Sequence, residues 1–279
     1  MKIYGVDFTS APKRSKPITV AEAELSCETL EIVGQRNFSN AQELLDFLNT
    51  PGAWLGAFDF PFGLPRELIT DSQWPQDWAS YVKVIHQMGK AQYENHIRGY
   101  QSRVTGKRRL YRETDKKARS RSPMQLDFIP VGKMFFFGAP MLLQSKCTVV
   151  PFRDGVPNTG IIVEGYPKLV AEKAVGNLRY KSEAPSNDAS RLGDNRNSIL
   201  RWITSQEVQK AYGFNVQIGD TLQTDCLSDG KGDKLDAVLC AIQGAWAWEQ
   251  RHNGYGVPTE CDLLEGWIVD PALLVFPYR

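Results

Sequence analysis

AWLGAF, residues 53–58, runs straight into Asp59 and stops at Pro61. Every position in it is apolar or small. An unbroken apolar run this short suits a central strand covered on both faces. Working back from it, AQELLDFL (41–48) follows Ser39, carries Leu44, Leu45 and Leu48 at helical spacing and Glu43 in its first turns, and closes at Pro51-Gly52. That pattern predicts a helix. Earlier still, KIYGVDF (2–8), PITVAEAEL (17–25) and ETLEIVG (28–34) read as three strands with short connections, hence an antiparallel meander. The order strand, strand, strand, helix, strand predicts an α/β fold.

Working forward, residues 76–89 read as a helix, whereas 90–132 show no apolar period. KMFFFGAPMLLQSK (133–146) is apolar but contains Gly138 and Pro140, and its type stays open. GIIVEGYP (160–167) is a strand with its stop signal. Helical patterns follow over 188–203, 204–213 and 232–251. Neither an internal repeat nor a domain boundary is visible, so residues 1–279 are read as one domain.

The composition narrows the function classes. Hydrophobic residues make up 42% of the chain and charged residues 23%, which is ordinary for a globular protein. MKIYGVDF lacks the long apolar core and cleavage pattern of a signal peptide, and no apolar run reaches the length of a membrane span. Cys27, Cys147, Cys226, Cys240 and Cys261 are scattered and odd in number, which argues against a disulfide framework or a thiolate zinc site. A reducing cytoplasm is the simplest compartment. With only three histidines, His86, His96 and His252, metal chemistry would rest on oxygen ligands.

Such ligands stand in suggestive places. Asp7 follows KIYGV, Asp59 follows AWLGAF, and Glu164 follows GIIV. Parallel strands would bring all three to one sheet edge, where open α/β sheets place their ligands. Asp233 and Asp236 are one helical turn apart at the start of 232–251, ahead of a body rich in small residues: Ala237, Ala241, Ala245 and Ala247. Taken singly, an Asp at a strand end is an ordinary turn residue, and Asp233 an ordinary helix cap. Taken together in this order, the acids predict an oxygen-only site suited to magnesium or manganese. Two ions about 4 Å apart would clamp a phosphodiester and activate water.

GVDFTSAP (5–12), AFDFPFGLP (57–65), VEGYP (163–167) and GDKLDA (232–237) together resemble the domain-of-unknown-function family 429, described as predicted nucleases of the RNase H fold; EGWI (265–268) also looks familial. The resemblance spans most of the chain. It implies a mixed five-stranded sheet with its first three strands antiparallel, flanked by helices, and a large insertion before the last core strand. It also implies a metal site on Asp7, Asp59, Glu164 and Asp236, with Asp233 beside them.

Residues 98–121 hold ten Lys or Arg against Glu113 and Asp115, a net +8 in a chain of +1, so the remainder is acidic by about 7 charges. A basic segment (about 90–132) beside an acidic metal site is the layout expected for a phosphate-backbone ligand. The candidate contacts are Arg103, Lys107, Arg108, Arg109, Arg112, Lys116, Lys117 and Arg119, with Tyr93, Tyr100 and Tyr111 placed to stack on bases. Lys116, Lys117 and Arg119 have a second reading, as partners of local acids. Phe135, Phe136, Phe137, Trp246 and Trp248 read as packing residues. Phosphate-loop glycine spacing is absent, and Ser10 has no His–acid pair near it. The leading expectation is therefore a metal-dependent nuclease acting on DNA or RNA. A non-catalytic nucleic-acid-binding protein of the same fold and an actin-like phosphotransferase or ATPase are the alternatives.

Overall fold

The chain opens with β1 (Lys2–Asp7), β2 (Ile18–Ser26) and β3 (Thr29–Phe38), and α1 (Ala41–Leu48) leads into β4 (Trp54–Phe58). Next come α2 (Arg66–Asp71), α3 (Trp78–Met88), α4 (Lys90–Arg103), α5 (Glu113–Ala118) and α6 (Val131–Gln144), then β5 (Thr148–Val149) and β6 (Ile161–Glu164). The rest comprises α7 (Pro167–Val175), α8 (Ala189–Ile203), α9 (Gln206–Tyr212), β7 (Asn215–Ile218), α10 (Asp220–Ser228) and α11 (Asp233–Glu249), followed by short 3-10 turns at Arg251–Gly256 and Pro271–Leu273. The computed structural model describes residues 1–103, 109–184 and 187–274. Among them no helix is long and apolar enough to cross a membrane.

The strands form one mixed sheet in the order β5-β6-β4-β1-β2-β3-β7. β1, β2 and β3 are the expected antiparallel meander. β4 runs parallel to β1, β6 to β4, β5 to β6, and β7 to β3. Seven strands replace the expected five. The two additions lie at opposite edges; β5 has only two residues, and β7, NVQI, lacks the unbroken apolar run that marks β6.

Alternation along the strands splits the core in two. Ile3, Leu55, Ala57 and Val163 face a layer built from α7, α8, α9, α10 and α11. Val6, Phe58 and Ile162 face the other layer, from α1, α2, α3, α4 and α6. Both faces of β1 and β4 are therefore covered, as the unbroken apolar runs require.

The segment whose type stayed open in the sequence forms α6. Pro140 lies inside that helix, and burial of Phe135, Phe136, Ala139, Met141 and Leu142 outweighs its local helix-breaking tendency. Phe137, expected to pack with them, remains 40% exposed. Residues 90–132, which showed no period, contain α4 and α5. On α4, Tyr93, Ile97 and Tyr100 form a buried stripe at helical spacing. Tyr93 and Tyr100 therefore belong to the core and present no stacking surface, while Tyr111 is exposed. The mainly polar composition of α4 hid this period, since only two tyrosines and Ile97 mark its inner face.

Candidate metal centre

The site begins with a close approach. β1 carries Gly5 where its neighbours on the same face, Ile3 and Asp7, bracket α11. A Cβ at Gly5 would lie 1.9 Å from the Ala237 carbonyl oxygen and 2.2 Å from the Ala241 nitrogen. Helix backbone thus lies directly against strand backbone, and the small residues of α11 permit it. Its first turn then brings Asp236 to the end of β1.

Strand register does the rest. Val6 pairs with Phe58, so the next residues along, Asp7 and Asp59, leave adjacent parallel strands side by side. Both follow the parity of Gly5 and Ala57, which is the α11 side. Asp7, Asp59 and Asp236 each offer a carboxylate oxygen, and these oxygens lie within 4.8 Å of one another. Asp7 and Asp59 are half-buried and Asp236 is fully buried.

Crowding of like charges perturbs the group. Loss of hydration, reinforced by the charge of Asp236, raises the Asp7 carboxyl well above the usual range. Loss of hydration also lifts Asp59, to about 7, with Lys181 opposing and Asp236 and Glu164 adding to the rise. Asp233 lies one turn before Asp236. Its carboxyl is raised by burial and by the charges of Asp229 and Asp236. It does not cap α11: Gly232 holds the cap position, and the Asp229 carboxylate accepts the Lys234 N–H at 2.9 Å.

Two residues that the sequence did not single out complete the group. The Tyr180 hydroxyl donates to Asp236 Oδ1 at 2.6 Å, and Lys181 Nζ ion-pairs with Asp236 Oδ2. Burial disfavours charge on Lys181, but Asp236, Tyr180, Asp7 and Asp59 outweigh it and hold the ammonium well above its usual pKa. Both residues sit between α7 and α8, far in the chain from Asp7, Asp59 and Asp236, and no local pattern marks them. Beside Asp233 opens a cavity of about 580 Å³, whose lining includes Arg14, Ser182, Lys231 and Lys234.

Glu164 is not brought into this cluster. It pairs with Phe58 and shares the parity of Ile162, which sends its side chain to the opposite face of the sheet. There Arg112 Nη1 and Nη2 donate to its two oxygens at 2.8 and 2.6 Å, and the Phe62 N–H donates at 2.9 Å. Asp115 takes two further bonds from the same guanidinium. All three side chains are buried. Burial opposes charge on Arg112, and the carboxylates of Asp115 and Glu164 outweigh it. A parity signal does exist in the sequence. Small residues stand two before Asp7 and Asp59, at Gly5 and Ala57, but the small residue near Glu164 is its neighbour Gly165.

The basic candidates divide. Arg112 is 1% exposed and fully engaged, so it is no phosphate contact; its fork holds the segment onto the end of β6. Arg103, Arg109, Lys116, Lys117 and Arg119 are exposed. Lys116 pairs with Glu113 at 3.3 Å, and Lys117 lies 4.9 Å above the Trp267 ring. Lys107 and Arg108 lie outside the described residues. Compared with known proteins, the chain matches no family model, no curated protein and no solved structure.

Proposed function

We propose that this chain is a divalent-cation-dependent phosphodiesterase acting on nucleic acid, with Asp7, Asp59 and Asp236 as the ion's ligands and magnesium or manganese as the ion. The observation that carries this is the convergence of three carboxylate oxygens within 4.8 Å at one sheet edge. Like charges brought that close inside a protein need a cation. The donor set is hard oxygen, which suits these ions. A cation held there supplies charge neutralisation and activation of water for phosphodiester hydrolysis.

The chain's own residues do the positioning. Tyr180 fixes the orientation of Asp236 through its hydroxyl. Gly5 sets the distance between α11 and β1. Asp233, one helical turn before Asp236, would lengthen the acidic edge if a second ion were bound. The exposed Arg103, Arg109, Lys116, Lys117 and Arg119 offer sequence-independent contacts to a phosphate backbone. The antiparallel β1, β2 and β3, with β4 and β6 parallel to β1, support an RNase H-like reading of the five central strands, with β5 and β7 added at the edges. Glu164 is a structural anchor for Arg112.

One observation favours a second reading, a non-catalytic nucleic-acid-binding protein: the acids already possess a counter-cation in Lys181. Manganese calorimetry on the wild type and Asp7→Asn, followed by cleavage of labelled DNA and RNA in the same samples, separates the two. The expected result is binding that the variant loses, with manganese-dependent cleavage by the wild type alone. Negligible ion binding in both, with nucleic acid still bound, would move the assignment to the second reading.

A further inference from the structure

We infer that Lys181 is the resident cation of this site and that a divalent ion must displace it from Asp236 in order to bind. The inference rests on the ion-site reading above and deepens it, by assigning the residue that sets the site's ion affinity.

Both oxygens of Asp236 are taken: Tyr180 holds Oδ1 and Lys181 holds Oδ2. The Tyr180 bond is neutral and compatible with a cation near the same carboxylate. The ammonium is not, because two cations at one oxygen repel strongly. The lysine is also built to reach this position. Asn195 Nδ2 donates to the Arg179 carbonyl at 2.6 Å, and Arg196 Nη1 to the Tyr180 carbonyl at 2.7 Å. The Ser182 N–H donates to the Gly230 carbonyl at 3.0 Å. The backbone is thus held on both sides of Lys181.

The side-chain stem then crosses Gly232. A Cβ there would lie 2.9 Å from Cβ and from Cδ of the lysine, and φ is +78°. Glycine both turns the chain into α11 and leaves room for the stem. Asp236 is wholly buried, but the Lys181 side chain is 42% exposed. The exposed part of the side chain borders solvent, the direction in which a displaced ammonium would leave. Lys181 neutralises part of the acid cluster while no ion is bound and sets a concentration threshold for ion entry.

The test is manganese chloride titration by calorimetry, with thermal melting in chelator and in saturating manganese, for wild type, Lys181→Met and Lys181→Gln. Removing a ligand that excludes the ion is expected to tighten manganese binding about tenfold, within the usual range of coupling between two ligands. Both variants should melt lower than wild type in chelator, by roughly 2 °C, and level with it in manganese. Equal or weaker manganese affinity in both variants would overturn displacement. If the wild type binds no manganese while the variants do, Lys181 is confirmed as the resident cation and the hydrolytic reading of the native protein fails. If none of the three binds manganese, both fail.

Discussion

The carbonyl oxygen of Ala237 lies 1.9 Å from where a Cβ on Gly5 would stand. This contact sets the spacing between α11 and the sheet, and therefore between Asp236 and Asp7. It explains why a helix whose sheet-facing side is rich in alanine can deliver a carboxylate to a strand end.

Gly5→Ala is accordingly expected to push α11 off β1. Overpacking a tight core costs about 1–3 kcal/mol, and here the obstacle is backbone, which yields less than a side chain. Urea denaturation should show that loss. Manganese calorimetry should show weaker binding than wild type, because the carboxylates separate. Wild-type values for both would mean that the close approach does not set the site.

Arg112→Met should be among the most damaging single changes. It strands Asp115 and Glu164, both buried, without their counter-charge. Breaking one side of a buried ion pair costs about 3–5 kcal/mol. Arg112→Lys should restore little, since an ammonium cannot reproduce a fork shared by two carboxylates. Equilibrium unfolding measures the loss. Manganese affinity of the folded fraction should stay close to wild type, because Glu164 faces away from the cluster; a large drop would place Glu164 in the ion site after all.

The pH dependence follows from the raised carboxyls of Asp7 and Asp59. In the unfolded chain both ionise near pH 4, at about the ordinary aspartate value. In the fold Asp59 keeps its proton up to about 7, because of lost hydration and then the neighbouring acids, and Asp7 is also well above the usual range. Between these limits the native state binds more protons than the unfolded state. Stability in chelator should therefore fall as pH rises from about 4 to about 7. Ion binding expels those protons, so manganese affinity should climb with pH over the same interval. Melting curves and calorimetry across this range check both signs. Asp7→Asn should flatten the stability profile and raise ion-free stability near neutrality by relieving repulsion.

Much of this arrangement was legible beforehand, for identifiable reasons. The meander, β4 and α11 carry long or unbroken apolar patterns, and patterns of that kind follow from burial alone. Asp7, Asp59 and Asp236 were legible because acids at the ends of buried elements are costly and stand out. β5 and β7 were not: β5 has two residues, and polar Asn215 and Gln217 break any apolar run in β7. Tyr93 and Tyr100 were misread as stacking residues because aromatic side chains serve cores and ligands alike; only their packing on α4 shows which.

By itself the sequence determined which segments are strands in the centre of the sheet, where the acids stand along them, and that α11 is slim enough to approach β1. Those properties are local: apolar periodicity, chain terminators and side-chain size. Only the tertiary structure decided which face each acid points to and which cation meets it. Glu164 is one residue out of step with Asp7 and Asp59, and a period of two sends it through the sheet to Arg112. Lys181 is distant in the chain from all three acids of the cluster. Its pairing with Asp236 depends on how the α7–α8 connection is held across Gly232, and no local pattern encodes a contact of that kind.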